Sequence, residues 1–241
     1  MLKTRIIPTL LRKELGLVKG KNFKELRRVI DVMPLIKIYN KRDVDEIVLL
    51  DIETTLNSKK INMDFISSLA EELNIPFTYG GGIKNFLDAK NILYSGADKI
   101  VLNSCLYDEP EIINQISDHT GAQSIIVSID VKKIKDKYCC FSHCATRNRN
   151  INVFDFLNTI SNQKFGEIFL CSIDHEGTMK GYDLDLIKNV SEKTDIPIIA
   201  SGGAGSYEDM YKALKAGATA VAAGTIFHFT ELTPAGAKKY L

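Results

Sequence analysis

Short apolar runs alternate with amphipathic stretches along the whole chain. The apolar runs predict strands at residues 4–10, 46–52, 77–79, 99–102, 124–130, 167–172, 198–201 and 220–223. Between them, hydrophobic side chains recur at helical spacing, for example over 62–73, 86–94 and 206–216, which indicates amphipathic helices. Continuous apolar runs are typical of parallel strands that are buried on both faces. Eight such strands alternating with helices predict an α/β fold, a (β/α)8 TIM barrel, as a single domain over residues 1–241.

The two halves of the chain resemble each other at a fixed offset. Ile-Pro-Phe-Thr-Tyr-Gly-Gly-Gly at 75–82 returns as Ile-Pro-Ile-Ile-Ala-Ser-Gly-Gly at 196–203, an offset of 121 (196 − 75). Glu46 and Glu167 are related by the same offset. A long internal period usually reports architecture. The pattern therefore predicts a two-fold half-barrel repeat with two related ligand-binding corners.

Two segments are interpreted as long loops at the face of the barrel that carries active sites. The first, residues 11–23, follows the first strand, and the second, residues 145–150, lies in a hairpin-like insert after the fifth. Active sites of TIM barrels lie at the C-terminal ends of the strands. Both segments are therefore expected to border the site.

Composition and charge exclude several classes of partner. The net charge of +1 gives no global field for nucleic acid or a membrane surface. No apolar run reaches the roughly 18 residues of a membrane span, and the start at Met1 lacks the apolar region of a signal peptide. The odd count of five cysteines, without a disulfide framework, indicates reduced thiols and a cytoplasmic protein.

One cysteine-rich segment could be interpreted as a metal site. Cys139, Cys140, His143 and Cys144 lie close together in sequence, but their spacing matches no common zinc pattern. Adjacent residues of a strand, such as Cys139 and Cys140, point to opposite faces. We therefore expect ordinary strand and loop residues here, with no metal and no cofactor.

Glycines at four strand ends predict two phosphate-binding corners. The first corner comprises Gly82, Asn103 and Ser104, and the second comprises Gly177, Gly203, Gly224 and Thr225. Glycine lets backbone N–H groups approach an anion closely, and a following helix adds its positive N-terminus. Tight turns that bind nothing are the alternative. Two matched corners favour a small-molecule substrate with two phosphate ends.

The chain resembles the cyclase subunit (HisF) family of imidazole glycerol phosphate synthase, an enzyme of histidine biosynthesis. The resemblance covers residues 1 to about 230. The motifs that carry it are Arg5-Ile-Ile-Pro, Val18-Lys-Gly, Leu50-Asp-Ile, Gly80-Gly-Gly-Ile, Gly96-Ala-Asp-Lys, Asp130, Gly177-Thr, Gly181-Tyr-Asp, Ala200-Ser-Gly-Gly-Ala-Gly and Ile226-Phe-His-Phe.

The resemblance implies a division of labour between the two ends of the barrel. A glutaminase subunit (HisH-like) would bind the N-terminal face, and its ammonia would cross the barrel to a bis-phosphorylated substrate. Asp130 would be one of two catalytic aspartates, and Lys19 of the Val18-Lys-Gly motif would be a further catalytic residue. Four residues would form the ammonia gate: Arg5, Glu46, Lys99 and Glu167. Thr78 would line the ammonia route and Asp98 would contact the glutaminase, whereas a merely structural ring of ion pairs is the alternative to the gate.

The chain departs from the family at the active face. Leu11 occupies the position of the other catalytic aspartate, and a leucine side chain cannot transfer a proton. Glu176 replaces an aspartate, and residues 145–150 replace a Gly- and Lys-containing family segment. The ammonia entrance is thus retained while the cyclase chemistry is altered.

Four hypotheses fit this combination. The favoured one is an ammonia-conducting subunit that supplies a separate sugar amidotransferase, which makes an acetamidino sugar for lipopolysaccharide or another surface polysaccharide. The second is a true cyclase, a lyase of histidine biosynthesis, with altered acid–base groups. An isomerase of the same pathway and a non-catalytic scaffold for a glutaminase are the remaining two. Leu11 favours the first and the scaffold, and the phosphate glycines favour the first and the cyclase.

Overall fold

The computed structural model describes residues 4–14, 16–42, 44–57 and 59–241. Residues 1–3, part of the N-terminal start discussed above, and residue 15 of the predicted first loop lie outside the described residues. The strands are β1 (Arg5–Lys13), β2 (Gly16–Lys21), β3 (Lys24–Asp31), β4 (Ile47–Asp51), β5 (Phe77–Gly80), β6 (Lys99–Leu102), β7 (Ile125–Ile134), β8 (Lys137–Ser142), β9 (Arg147–Asn152), β10 (Glu167–Ser172), β11 (Ile198–Ser201) and β12 (Ala220–Ala223).

Helices separate most of the strands. They are α1 (Val32–Asn40), α2 (Ile52–Leu56), α3 (Met63–Glu72), α4 (Phe86–Tyr94), α5 (Ile112–Thr120), α6 (Val153–Ile160), α7 (Leu184–Ser191), α8 (Tyr207–Lys215), α9 (Thr225–Phe229) and α10 (Pro234–Tyr240). The three helices predicted from periodicity are confirmed as α3, α4 and α8. No helix within the described residues is long and apolar enough to cross a membrane.

Eight strands form a closed parallel barrel. Their order is β1, β4, β5, β6, β7, β10, β11 and β12. The barrel closes because β12 pairs in parallel with β1, where Arg5 lies opposite Ala220. The predicted TIM barrel is confirmed, and all eight predicted strands lie in it.

The first predicted loop is wrong, because residues 11–23 are mostly strand. β1 continues through Leu11, which lies opposite Val18 of β2 in an antiparallel pair. β2 and β3 then form a hairpin that stands on the C-terminal end of the barrel. Charged residues interrupt the apolar alternation in this segment, so the sequence pattern indicated a loop where backbone pairing builds a hairpin.

The second predicted loop is also largely strand. β7 extends past Asp130 and pairs with β8 in an antiparallel register, and β9 (Arg147–Asn152) pairs with β8. Only Ala145 and Thr146 of the predicted 145–150 loop lie in the turn. The polar sequence of β9 hid the strand, because its side chains are mostly exposed or half-buried.

The core has two layers on the two faces of the barrel strands. Ile6 and Leu10 of β1 pack outwards in the layer beneath the helices, whereas Ile7 packs inside the barrel. The interior cluster is formed by Ile7, Val48, Val101, Ile126, Phe169, Cys171, Ile199, Ala220 and Ala222. Side chains at alternate strand positions share a face. Because the apolar cluster fills the middle of the interior, the polar residues at inward positions lie at its two ends.

The half-barrel repeat is visible in the backbone hydrogen bonds. The Asp98 N–H donates to the Phe77 carbonyl at 2.8 Å, and the Thr219 N–H donates to the Ile198 carbonyl at 2.8 Å. The two donor residues differ by the sequence offset (219 − 98 = 121), and so do the two acceptor residues (198 − 77 = 121). The same contact between the starts of two neighbouring strands is thus built twice, at β5 and β6 and at β11 and β12. The two predicted corners follow the C-terminal ends of these same strands.

Candidate functional site

A cavity of about 570 Å³ opens at the C-terminal ends of the barrel strands. One wall is apolar and comes from neighbouring elements of the chain's first quarter: Leu11, Phe23, Leu26, Leu50 and Ile52. The opposite wall is polar: Asn103, Ser128, Asp130, Glu176 and Ser201. The volume falls in the usual range for small-molecule sites.

Asp130 is the predicted catalytic residue at the end of the fifth barrel strand, and it lies in the polar wall. The residue is 9% exposed, and Asn103 Nδ2 donates to its Oδ2 at 3.3 Å. Burial raises the pKa of Asp130 to about 7, helped by the charge of Glu176 and opposed by the Ser128 hydroxyl. The carboxyl can therefore exchange a proton near neutral pH, as a general acid or base requires.

Lys19 reaches the same cavity from the β2–β3 hairpin. Its ammonium donates to the carbonyl oxygen of Thr9 at 2.8 Å and lies so close to Gly224 that a Cβ there would be 1.9 Å from Nζ. Burial lowers the pKa of Lys19 to about 8, and Glu176 opposes the shift. A side chain at 224 would therefore displace the Lys19 ammonium, and its Cβ would also lie 2.8 Å from the Thr9 carbonyl oxygen.

Leu11 lies half-buried in the apolar wall, opposite Leu50 of β4. The next residue, Arg12, forms an ion pair with Asp51 and lies over the Phe65 ring at 4.1 Å. Asp51 is 1% exposed and also caps α2. Among the described residues, this part of the wall therefore holds no carboxylate without a cation partner.

The structure brings the residues of the first corner together but engages them with protein partners. The Gly82 N–H donates to the Thr55 hydroxyl at 3.1 Å. The amide of Asn103 donates to the Ser128 carbonyl at 3.1 Å, and the Ser104 hydroxyl accepts the His143 N–H at 3.0 Å. An anion in this corner would have to compete with these bonds.

The second corner is a separate small pocket that includes all four predicted residues: Gly177, Gly203, Gly224 and Thr225. Its volume is about 10 Å³, which is room for about one water. A Cβ on Gly177 would meet the Gly20 carbonyl at 2.0 Å, so β2 packs closely against the backbone of Gly177. The pocket would have to widen to hold a phosphate.

The β8–β9 insert supplies a further part of the cavity wall. His143, Cys144 and Arg147 line the cavity, and Arg149 attaches the insert to the turn after β6. Its guanidinium pairs with Asp108 at 2.9 Å and donates to the Ser142 hydroxyl at 2.7 Å. The sequence predicted residues 145–150 at the active face, but no local pattern indicated that Arg149 anchors them.

A charged ring lies at the opposite, N-terminal end of the barrel, formed by Arg5, Glu46, Lys99 and Glu167. Arg5 pairs with Glu46 at 2.9 Å and with Glu167. Lys99 pairs with the same two carboxylates at 3.2 and 2.9 Å. Burial would raise the pKa of Glu167, but hydrogen bonds from Arg5 and Lys99 outweigh it and hold that pKa below its usual value. Two cations and two anions thus close this end of the barrel.

Two further predicted residues adjoin the charged ring. Thr78 is fully buried, and its hydroxyl donates to Glu46 Oε1 at 2.7 Å. Asp98 is exposed, and its Oδ2 accepts the Phe77 N–H at 2.8 Å. Asp98 therefore has a structural bond as well as a surface position.

Apolar side chains fill the barrel between the charged ring and the cavity. Val101 and Phe169 belong both to the interior cluster and to the cavity lining. Ile7, Val48 and Ala220 continue the cluster towards the ring. The two polar ends of the barrel are therefore separated by apolar packing.

The cysteines are free thiols, and within the described residues no group of three or more His, Cys, Asp and Glu side chains could hold a metal. Cys144 and Cys171 line the cavity. Burial raises the pKa of Cys144 to about 12. Cys171 could have been found from its position, since it shares the inward face of β10 with Glu167 and Phe169.

These features define a TIM-barrel protein with a charged ring at one end and, at the other, a cavity of small-molecule size that holds the buried Asp130 carboxyl. The chain matches the family of histidine biosynthesis proteins over residues 5–233. It is 40% identical over 242 residues to imidazole glycerol phosphate synthase subunit HisF of Natranaerobius thermophilus, covering all of this chain and 96% of that protein. It is 42% identical to the HisF subunit of Dictyoglomus thermophilum and 40% to that of Thermococcus gammatolerans, with the same coverage.

The chain therefore belongs to the histidine biosynthesis protein family and is similar along its full length to HisF subunits. The resemblance inferred from the sequence motifs is confirmed at the level of the family.

Proposed function

We propose that the chain is the cyclase-type barrel subunit of an imidazole glycerol phosphate synthase-like glutamine amidotransferase. A glutaminase would dock on the N-terminal face, and ammonia would pass the charged ring and the apolar interior to the cavity. There it would react with a bis-phosphorylated precursor of the imidazole. The work would take place in the cytoplasm.

The observation that carries the proposal is the pairing of the two barrel ends. The charged ring closes the N-terminal end, and the cavity with Asp130 occupies the C-terminal end. The described cluster of side chains between them is apolar, which suits neutral ammonia better than ammonium because burying an unpaired charge is costly. The names of the HisF relatives support the same assignment.

The two corners are proposed as the phosphate sites of this substrate. Gly82, Asn103 and Ser104 would hold one end, and Gly177, Gly203, Gly224 and Thr225 the other. The second corner would have to widen to admit a phosphate, because its volume is about 10 Å³. Thr225 Oγ1 is buried without a hydrogen-bond partner among the described residues, which suits an acceptor arriving with the ligand.

Two assays with one purified complex test the proposal. The chain is reconstituted with a glutaminase partner and given the bis-phosphorylated precursor, with either glutamine or ammonium chloride as the nitrogen source. Formation of imidazole glycerol phosphate from both sources is expected. Absence of the product from both sources, with a folded barrel, would refute the cyclase assignment.

A second candidate follows from one residue, Leu11. Because strand one ends without a free carboxylate, the barrel could pass its ammonia to another acceptor, such as a sugar amidotransferase that makes an acetamidino sugar. Glutamine would then be consumed while the imidazole precursor stays intact, and Leu11→Asp alone would not restore cyclisation. Stimulation of product formation by a separate amidotransferase would favour this candidate over a scaffold.

A further inference from the structure

We propose that Glu176 is a catalytic residue of the cavity that exchanges protons together with Asp130 in place of a carboxylate on strand one. This inference rests on the proposed function and assigns one of its reacting groups. It follows from the backbone that positions Glu176, from the other carboxylates of the cavity, and from the burial of the cluster.

The backbone holds Glu176 beside Asp130. Asp130 of β7 lies opposite Cys171 of β10 in the parallel register. β10 ends at Ser172, and the Glu176 N–H donates to the Ser172 carbonyl at 3.0 Å, one turn further on. The Glu176 carbonyl in turn accepts the Asn22 N–H at 2.8 Å. Glu176 is thus fixed between the end of β10 and the tip of the β2–β3 hairpin, and it lines both the cavity and the second corner.

The other carboxylates of the cavity are committed or exposed. Asp51 is paired with Arg12, Asp108 is paired with Arg149, and Glu109 is exposed at the rim. Glu176 is coupled through space to Lys19 and has no side-chain hydrogen bond among the described residues. Among the described residues that line the cavity, Asp130 and the half-buried Glu176 are therefore the carboxylates left to serve a substrate.

Burial raises the pKa of both carboxyl groups, which favours the protonated form that a proton donor needs. It raises the pKa of Glu176, with Lys19 opposing the shift, and the charge of Glu176 adds to the raised pKa of Asp130. Two neighbouring carboxylates that are both desolvated resist ionising together. One member is then available as an acid while the other is available as a base.

The chemistry of ammonia addition to a carbonyl requires such a pair. When a C–N bond forms and the C–O bond breaks, nitrogen loses two protons and the departing oxygen gains two, so it leaves as water. The ionised carboxylate takes a proton from nitrogen while the protonated one gives a proton to oxygen. A second exchange in the opposite sense returns both groups to their starting state, so protons balance over the cycle.

A role for Glu176 as a mere counter-ion of buried Lys19 is the alternative, and two variants separate the roles. Glu176→Gln keeps the size of the side chain, and Glu176→Asp keeps its charge. Glu109→Gln is the matched control, because it removes an exposed carboxylate at the same cavity. Rates are measured with ammonium chloride, so the charged ring and the glutaminase do not affect the result.

Glu176→Gln is expected to lower kcat by roughly 100-fold or more, with little change in KM and the loss of one limb of the pH–rate profile. Glu176→Asp is expected to keep that limb and part of the rate, and Glu109→Gln to match the parent. A Glu176→Gln variant with the parental rate and pH profile would overturn the proposal, even if its melting temperature fell.

If the parent chain does not turn over the precursor, the proposed function is refuted. The role of Glu176 is then tested by a second measurement. NMR titration of 13C-labelled carboxyl groups then tests the pair directly. The pKa of Asp130 should fall in Glu176→Gln, because a neighbouring negative charge is removed, and should not change in Glu109→Gln. An unchanged Asp130 titration in Glu176→Gln would overturn the proposal.

Discussion

At the scale of single residues, the charge of the cavity depends on ionisable side chains that are buried and hydrogen-bonded to neutral groups. Among the described residues, the Asp130 carboxylate accepts hydrogen bonds from neutral donors, at 3.3 Å from Asn103 and 3.5 Å from Ser128. Lys19 donates to a backbone carbonyl rather than to a carboxylate. Such groups titrate near neutral pH because burial disfavours their charged forms.

Asp130 makes the stability of the protein depend on pH. Its folded pKa is raised, to about 7, so the folded chain holds a proton that the unfolded chain releases above its ordinary pKa of about 3.9. Stability should therefore fall as pH rises from about 4 to about 7, by at most about 4 kcal/mol at about 1.4 kcal/mol per pKa unit. The free energy of unfolding in urea is measured for Asp130→Asn and for the parent. The difference, variant minus parent, should be larger at pH 8 than at pH 5. Equal differences at both pH values would contradict the buried, protonated carboxyl.

The Arg12–Asp51 pair provides a second test at this scale. Arg12→Met keeps much of the packing on Phe65 but leaves the fully buried Asp51 without its cation. Breaking a buried pair from one side costs about 3–5 kcal/mol, which urea unfolding would measure. The double variant with Asp51→Asn should recover part of the loss, because asparagine can still cap α2. A loss below about 1 kcal/mol in the single variant would indicate an exposed, weak pair.

At the scale of elements, two antiparallel hairpins build the walls that the barrel alone does not supply. The β2–β3 hairpin carries Lys19 to the cavity and is attached by the Asn22 amide, which donates to the Asp174 carbonyl at 2.6 Å. The β8–β9 hairpin carries His143 and Arg147 and is attached by Arg149. Both attachments join a hairpin to a neighbouring βα turn.

Arg149→Lys should loosen the β8–β9 hairpin. A lysine cannot reproduce the planar fork that joins Asp108 and Ser142, and the expected loss is about 1–2 kcal/mol. Amide hydrogen exchange of residues 143–149 should become faster, while exchange in β10 stays unchanged. Arg147→Lys is the control, because Arg147 is exposed. Equal exchange in both variants would show that Arg149 does not anchor the hairpin.

At the scale of the whole molecule, one barrel connects two chemically different ends. The charged ring forms at one end because Arg5, Glu46, Lys99 and Glu167 occupy inward positions at or just before strand starts. The cavity forms at the other end because Asp130 and Ser201 occupy inward positions at strand ends. Communication between glutaminase and cavity would therefore follow the barrel axis.

Lys99→Met should uncouple the two ends. The substitution leaves Glu46 and Glu167 with Arg5 as their one remaining cation in the ring. The ring is then no longer held closed by ion pairs on both sides. In the reconstituted complex we expect more glutamine hydrolysed per molecule of product, with less change when ammonium chloride is the nitrogen source. Lys90→Met is a suitable control, since Lys90 is exposed on α4. Unchanged coupling with a lower melting temperature would reduce the ring to a structural plug.

The sequence pattern by itself determined the barrel and its repeat, because local periodicity and the inward positions of strands depend on the order of residues. The members of the charged ring were predicted from the family resemblance, and the structure joins them by ion pairs. The offset between Glu46 and Glu167 already implied equivalent positions in two half-barrels. The predicted phosphate residues likewise meet in two corners, although their ligand role stays a prediction.

Only the tertiary structure decided how the cavity is walled and charged. The hairpin strands β2, β3 and β9 escaped prediction because they are stabilised by pairing with residues distant in sequence or by long-range attachment, as with Asn22 and Asp174. The pairing of Arg12 with Asp51 and the coupling of Glu176 to Asp130 join residues 39 (51 − 12) and 46 (176 − 130) positions apart. Protonation depends on burial and on such distant neighbours, and neither can be read from the local sequence.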